Sequence, residues 1–346
     1  MTAMFDQAAH TRRRLDVHQV VSTRLAALAD QDLEVLLERA APLGTGIGGA
    51  SALLEFDGVQ VYVKKVPLTD IERSPRNANS TANVFELPLF YQYGIGSTGF
   101  GAWRELAANL MATDWALAGE CVNFPLLHHW RVLPKATPPP SPEQEARLER
   151  AVAFWDGSPA IRARREAIRD ARASLVLFLE YFPETLNTWL TGVMAAGGEA
   201  ALSAVVKVDD QLNAVAAFIN ARGMLHFDLH FHNILTDGEQ LYVTDFGMAT
   251  CAEFDLSPAE RDFFARHQLY DRAYLANYLV KWIDDLNEPA SPPPGVAALI
   301  EPYRPVAAVM GEFIEKLRAE SKLTPYPADA LECALPDPLR GQPSLS

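Results

Sequence analysis

Apolar residues recur at helical spacing through residues 16–40, where Val20, Val21, Leu25, Leu28, Leu33, Leu36 and Leu37 alternate with charged positions. This predicts one or two amphipathic helices whose stripe packs on the domain that follows. The period then changes. Leu53, Leu54 and Phe56, the Asp57-Gly58 pair, and Val59 to Val63 read as strand, turn and strand. Residues 67–101 hold no sustained helical period, and the glycine-bearing run from Tyr93 to Gly101 is their most loop-like piece. Helical spacing returns from Trp103 to Leu117, a strand is expected over 124–133, and LPKATPPPSP at 133–142 is a stiff Pro-rich linker into a charged helical insertion at 143–172. The apolar run Leu175 to Leu179 is a buried strand ending at Pro183, after which Leu186, Trp189 and Leu190 begin a helical region. Leu202 to Ala221 is a long helix stopped at Gly223, and helical patterning resumes from Phe263 to Trp282. Beyond Ser291 the chain is Pro-rich, with one helix expected near Val306 to Glu320.

The 346 residues are 49% hydrophobic and 21% charged, enough to bury a full core. A formal net charge of −14 with no basic run of five or more argues against a nucleic-acid partner. Cys121, Cys251 and Cys333 are far apart without a CxxC pair, so neither a disulfide framework nor a thiolate zinc site is expected. Arg12, Arg13 and Arg14 precede no apolar leader core, and no uninterrupted apolar run approaches membrane-spanning length. A soluble, cytoplasmic protein with no membrane partner is expected.

The chemistry concentrates at 225–247, LHFDLHFHNILTDGEQLYVTDFG. Ile234 to Thr236 and Leu241 to Thr244 are rich in strand formers on either side of Asp237-Gly238, a hairpin signal. A hairpin folds its ends together, bringing Asp228 and Asn233 near Asp245. An amide and a carboxylate are hard oxygen ligands for Mg²⁺, and a second carboxylate remains to accept a proton. A rival reading takes the alternating His226, Asp228, His230 and His232 as ligands of a metallohydrolase.

His226-Phe227-Asp228 with Asn233 matches H-x-D-x-x-x-x-N, Asp245-Phe246-Gly247 matches D-F-G, Gly44 to Gly49 matches G-x-G-x-x-G ahead of two strands, and Val61-Tyr62-Val63-Lys64 is similar to V-A-I-K. In this order the motifs resemble the protein-kinase-like superfamily. The resemblance implies an α+β, two-lobed fold: an N-lobe antiparallel sheet with an αC-type helix, then a mainly helical C-lobe. Residues 1–40 would be a helical extension, 41–182 the N-lobe with a loop insertion at 67–101 and a helical insertion at 134–172, and 183–346 the C-lobe with its tail. It also implies ATP and Mg²⁺. Asp228 would orient and deprotonate the acceptor hydroxyl, Asn233 and Asp245 would hold Mg²⁺, and His230 would add a donor to the transferring phosphoryl. Lys64, braced by Glu105, would hold the phosphates, with Lys65 as the alternative register. Gly44, Gly46 and Gly49 would let backbone amides approach the phosphates, and the backbones of Glu180 and Phe182 would bond adenine.

The departures bear on the acceptor. Helical patterning resumes soon after Gly247, His230 stands where Ser/Thr kinases place Lys, and Phe227 replaces the Arg that would bind a phosphorylated activation loop. The resemblance implies transfer of the γ-phosphoryl of Mg-ATP to a hydroxyl, in the first place by a Ser/Thr-type protein kinase. The alternatives are a small-molecule kinase similar to aminoglycoside phosphotransferases, and a nucleotide-binding pseudokinase.

Overall fold

A computed structural model describes residues 2–46, 48–137, 139–288 and 292–336. It is a mixed α+β structure, an N-terminal five-stranded antiparallel sheet followed by a largely helical region. The chain divides into two compact units, Met1–Pro88 with Gly96–Tyr181, and Leu89–Ile95 with Phe182–Ser346.

The first unit is built on β1 (Ala41–Gly46), β2 (Gly49–Phe56), β3 (Val59–Leu68), β4 (Leu127–Pro134) and β5 (Ala173–Glu180), in the order β1-β2-β3-β5-β4. Side chains of β3 alternate between two cores, as strand geometry requires. Val61 and Val63 join Val21, Leu25, Leu33 and Leu37 from helices α1 (Thr2–Ala26) and α2 (Asp30–Glu38) on one face. Of the apolar stripe expected over 16–40, Val21, Leu25, Leu33 and Leu37 are thus buried on the sheet, Leu28 and Leu36 pack at its margin, and Val20 faces solvent. Val66 and Leu68 pack on the other face against Ala102, Trp103 and Leu106 of a later helix. Between β3 and that helix lie one α-helical turn, α3 (Asp70–Arg73), and a 3₁₀ turn at Leu89–Gln92, and the helix itself is α4 (Ala102–Leu117). The 134–172 insertion is two helices, α5 (Pro142–Phe154) and α6 (Pro159–Arg169). They are separated where Asp156 and Gly157 turn left-handed and Ser158 caps the second helix.

In the second unit, helices α7 (Leu186–Ala196) and α8 (Gly198–Ala221) precede short strands. Strands β6 (Glu184–Thr185), β8 (Ile234–Thr236) and β9 (Leu241–Val243) form one sheet, and β7 (Met224–Leu225) pairs with β10 (Thr250–Cys251). Helices α9 (Pro258–Arg266) and α10 (Tyr270–Asn287) follow. Among the described residues the tail holds three α-helices where one helix was expected: α11 (Pro294–Ile300), α12 (Arg304–Ala319) and α13 (Ala328–Ala334). The two extra helices have seven residues each, too few to display a period, and their order rests on burying Val296, Ile300 and Leu331. Among the described residues, no helix is long and apolar enough to cross a membrane.

Candidate functional site

In the first unit the glycine turn lies beside a buried lysine. Register pairs Gly46 with Gly49 and Ser51 with Lys64. Gly49 has φ +135°, and a Cβ there would clash with the Lys65 carbonyl, whose carbon would lie 3.0 Å away. Gly48 sits over the lysine side chain, its notional Cβ 3.3 Å from Lys64 Nζ. A Cβ on Gly44 or Gly46 would meet nothing within 4 Å, so packing alone does not demand glycine at either position. Ile47 lies outside the described residues.

Lys64 is buried, and its Nζ lies 2.6 Å from Glu105 Oε1. The parity of β3 decides the register: residue 64 shares the face of Val66 and Leu68 that meets α4, whereas Lys65 points the opposite way and is half-buried. Glu105 stands in the first turn of α4, and the start of that helix is fastened by a carboxylate. Glu72 Oε1 accepts from the Ala102 N–H at 2.8 Å, the Trp103 indole donates to the Glu72 carbonyl at 2.9 Å, and Arg164 of α6 lies 2.8 Å from Glu72 Oε2. Burial alone would raise the Glu72 pKa. The Arg164 guanidinium and hydrogen bonds from Thr69 and Ala102 outweigh it and hold the carboxyl below its ordinary value.

Glu180, at the end of β5, donates its N–H to the Leu126 carbonyl at 2.9 Å, so that group is spent within the fold. Its carboxylate takes two hydrogen bonds from Arg14 of α1, each 2.8 Å, and one from the Leu126 N–H at 3.1 Å. In the second unit the Phe182 ring stacks on Tyr242 with centroids 3.9 Å apart.

The 225–247 stretch lies in the second unit. Ile234 pairs with Val243 and Thr236 with Leu241, and the Thr244 N–H reaches the Asn233 carbonyl at 3.0 Å, so the hairpin ends meet. Asn233 donates its side-chain amide to both the carbonyl and Oδ2 of Asp228, each at 3.0 Å. Asp245 adopts the left-handed conformation, φ 62° and ψ 68°, and accepts from the Gly247 N–H at 3.3 Å. His230 Nε2 stands 3.6 Å from Asp228 Oδ2. Burial lowers the His230 pKa, with His232 adding to the effect and Asp245 opposing it. At neutral pH the ring is therefore neutral and can donate or accept a hydrogen bond.

An Asn that turns its N–H groups toward Asp228 keeps Oδ1 as a donor to a cation, and Asp245 adds carboxylate oxygens. This oxygen set fits Mg²⁺ and not a soft metal. The four residues of the metallohydrolase alternative are not gathered around one point. Among the described residues no group of three or more His, Cys, Asp and Glu side chains is placed to hold a metal ion. Phe231–Asn233 is a 3₁₀ turn, which breaks the alternation, and His226 is buried, with Nε2 3.0 Å from the Thr244 carbonyl and Nδ1 accepting from the Asp228 N–H.

One residue that the motifs did not point to holds this loop. Asp271 of α10 is fully buried and accepts the N–H groups of His226 (2.8 Å) and Phe227 (2.9 Å), bracketing the left-handed Phe227 at φ 65°. Burial raises its pKa to about 6 against the pull of those two donors. The available signal was an acid between Tyr270 and the Ala273-Leu275 pair, on the buried face of an amphipathic helix.

No model of a known protein family matches this chain, and a search of curated proteins finds none that matches it.

Proposed function

We propose that this chain is an ATP-dependent phosphotransferase with a two-lobed protein-kinase-like fold, moving the γ-phosphoryl of Mg-ATP to a hydroxyl. The observation that carries it is the Lys64–Glu105 pair at 2.6 Å, set beneath a glycine turn in a chain that also gathers Asp228, Asn233 and the Asp245 turn. A buried ion pair is a poor stabiliser compared with an apolar pair of equal volume, so its place in the sheet asks for a chemical reason. Phosphoryl transfer supplies one, because it needs positioning and charge neutralisation more than covalent help. Lys64 would hold phosphate oxygens, with Glu105 fixing its rotamer. Asn233 and Asp245 would hold Mg²⁺, which neutralises phosphate charge when bound. Asp228, steadied by Asn233, would orient the hydroxyl and take its proton, and neutral His230 would donate to the phosphoryl.

The first acceptor to consider is a protein Ser or Thr. A small-molecule acceptor is favoured by one feature of the second unit: only Met248 to Ser257 separate Gly247 from α9, and Thr250–Cys251 is tied to β7. That leaves little platform for a peptide. The test is incubation with Mg-ATP labelled on the γ-phosphate, using wild type, Asp228→Asn and Asp245→Asn. Label transferred to protein, water or a small alcohol by wild type, and lost in both variants, is the expected result. Equal silence in all three would sink the phosphotransferase reading.

A further inference from the structure

Within the loop insertion, Leu89–Ile95 belongs to the second unit, unlike the chain on either side of it. Two side chains seat it there. The Tyr93 ring is buried among Phe227, Phe263, Tyr270 and Phe313, and its hydroxyl lies 2.8 Å from His267 Nε2. The Gln92 side-chain amide donates to the Met248 carbonyl, just past Asp245-Phe246-Gly247. The Ile95 N–H closes on the Tyr93 carbonyl at 2.8 Å, a three-residue turn that bends the chain at Gly94. At that bend a Cβ would come 2.5 Å from Asp228 Oδ1, 3.1 Å from its Cγ and 3.2 Å from the Phe227 carbonyl. A methyl here would push the Asp228 carboxylate, the end of a side chain, out of its place and crowd the Phe227 carbonyl. His230 lies on the Oδ2 side of the same carboxylate, with its ring 6.1 Å from Tyr278.

We propose that Leu89–Ile95 is a fixed wall on the acceptor side of Asp228: Gly94 is a positioning residue that sets the carboxylate, and the wall limits acceptors to small hydroxyl compounds. The inference rests on the phosphotransferase reading and narrows it. A hydroxyl on an extended peptide or a folded surface brings its flanking chain with it, and that chain would collide with a strap anchored through a buried tyrosine. A small alcohol has no such flank.

The experiment uses the full chain and γ-labelled Mg-ATP, with water, glycerol and casein as acceptors. Mg-ATP affinity is measured by calorimetry, and the Asp228 carboxyl is followed by ¹³C NMR as the resonance missing from Asp228→Asn. In Gly94→Ala, Mg-ATP affinity stays within twofold, release of labelled phosphate to water falls at least tenfold, and the Asp228 resonance shifts. Wild type leaves casein unlabelled, whereas Tyr93→Ala, or the milder Gln92→Ala if the first does not fold, labels it. Gly94→Ala with wild-type phosphate release and an unmoved resonance would overturn the proposal, as would wild type labelling casein. Wild type that binds no Mg-ATP, or binds it and passes label to none of water, glycerol and casein, removes the phosphotransferase reading itself, an outcome separate from either of these.

Discussion

Lys64 and Glu105 form a buried ion pair at 2.6 Å that joins the middle of β3 to the first turn of α4. Removing one partner leaves an uncompensated buried charge, at a cost of about 3–5 kcal/mol. Lys64→Met should therefore destabilise the protein by that order, and Lys64→Met with Glu105→Gln should recover most of the loss. Urea denaturation of the two single variants and the double variant measures the coupling. Under the proposed function all three variants lose phosphotransfer, so recovered stability without recovered activity is the expected pattern.

Gly49→Ala should be costly although the added group is one methyl. The residue has φ +135°, and its Cβ would meet the Lys65 carbonyl, which belongs to the neighbouring strand and cannot swing away. Backbone strain of this kind costs about 1–3 kcal/mol before the clash is counted. Gly46→Ala, with nothing within 4 Å, should change stability by much less. Thermal melts of the two variants side by side distinguish the positions.

Arg14 ties the N-terminal helix to the end of β5, giving two hydrogen bonds to Glu180 and one each to the carbonyls of Val122 (2.9 Å) and Phe124 (2.7 Å). Arg14→Ala should cost about 3 kcal/mol by leaving the part-buried Glu180 carboxylate and two carbonyls without those donors. Arg14→Lys should restore less than half of that, because an ammonium cannot reproduce the two-pronged geometry. Equal stability of the Lys variant and wild type in chemical denaturation would contradict the role assigned to the fork.

Asp271 predicts a pH dependence with a definite sign. Its pKa is raised from 3.8 to about 6 in the folded chain, so between about pH 4 and 6 the folded form keeps a proton that the unfolded form has released. Its contribution to stability therefore falls as pH rises through that window, by about 3 kcal/mol in all. Asp271→Asn removes this slope and turns an amide N–H toward one of the two backbone donors. The variant should be about 1–3 kcal/mol less stable than wild type at pH 4.5. The gap should close by pH 7.5, as denaturation series at both pH values would reveal.

Much of this architecture is readable from local chemistry. The Asp237-Gly238 turn between two runs of strand formers, the 16–40 stripe and the 202–221 helix depend on periods and turn residues only a few positions apart. Their outlines hold whatever they pack against. Motif spacing likewise nominated Asp228, Asn233, Asp245 and Lys64, with Lys65 as its alternative, and the helical period over 103–117 put Glu105 forward as the lysine's partner. The tertiary structure decided what depends on partners distant in sequence. Lys64 rather than Lys65 meets Glu105 because the parity of β3 is set by which face α4 covers. Asp271 reads as one more helix charge until His226 and Phe227 turn their N–H groups onto it. Gly94 reads as a loop glycine until the chain at Asp228 arrives beneath it. In each case a single side chain, or the lack of one, answers to backbone brought near only by the fold, and no local period encodes that proximity.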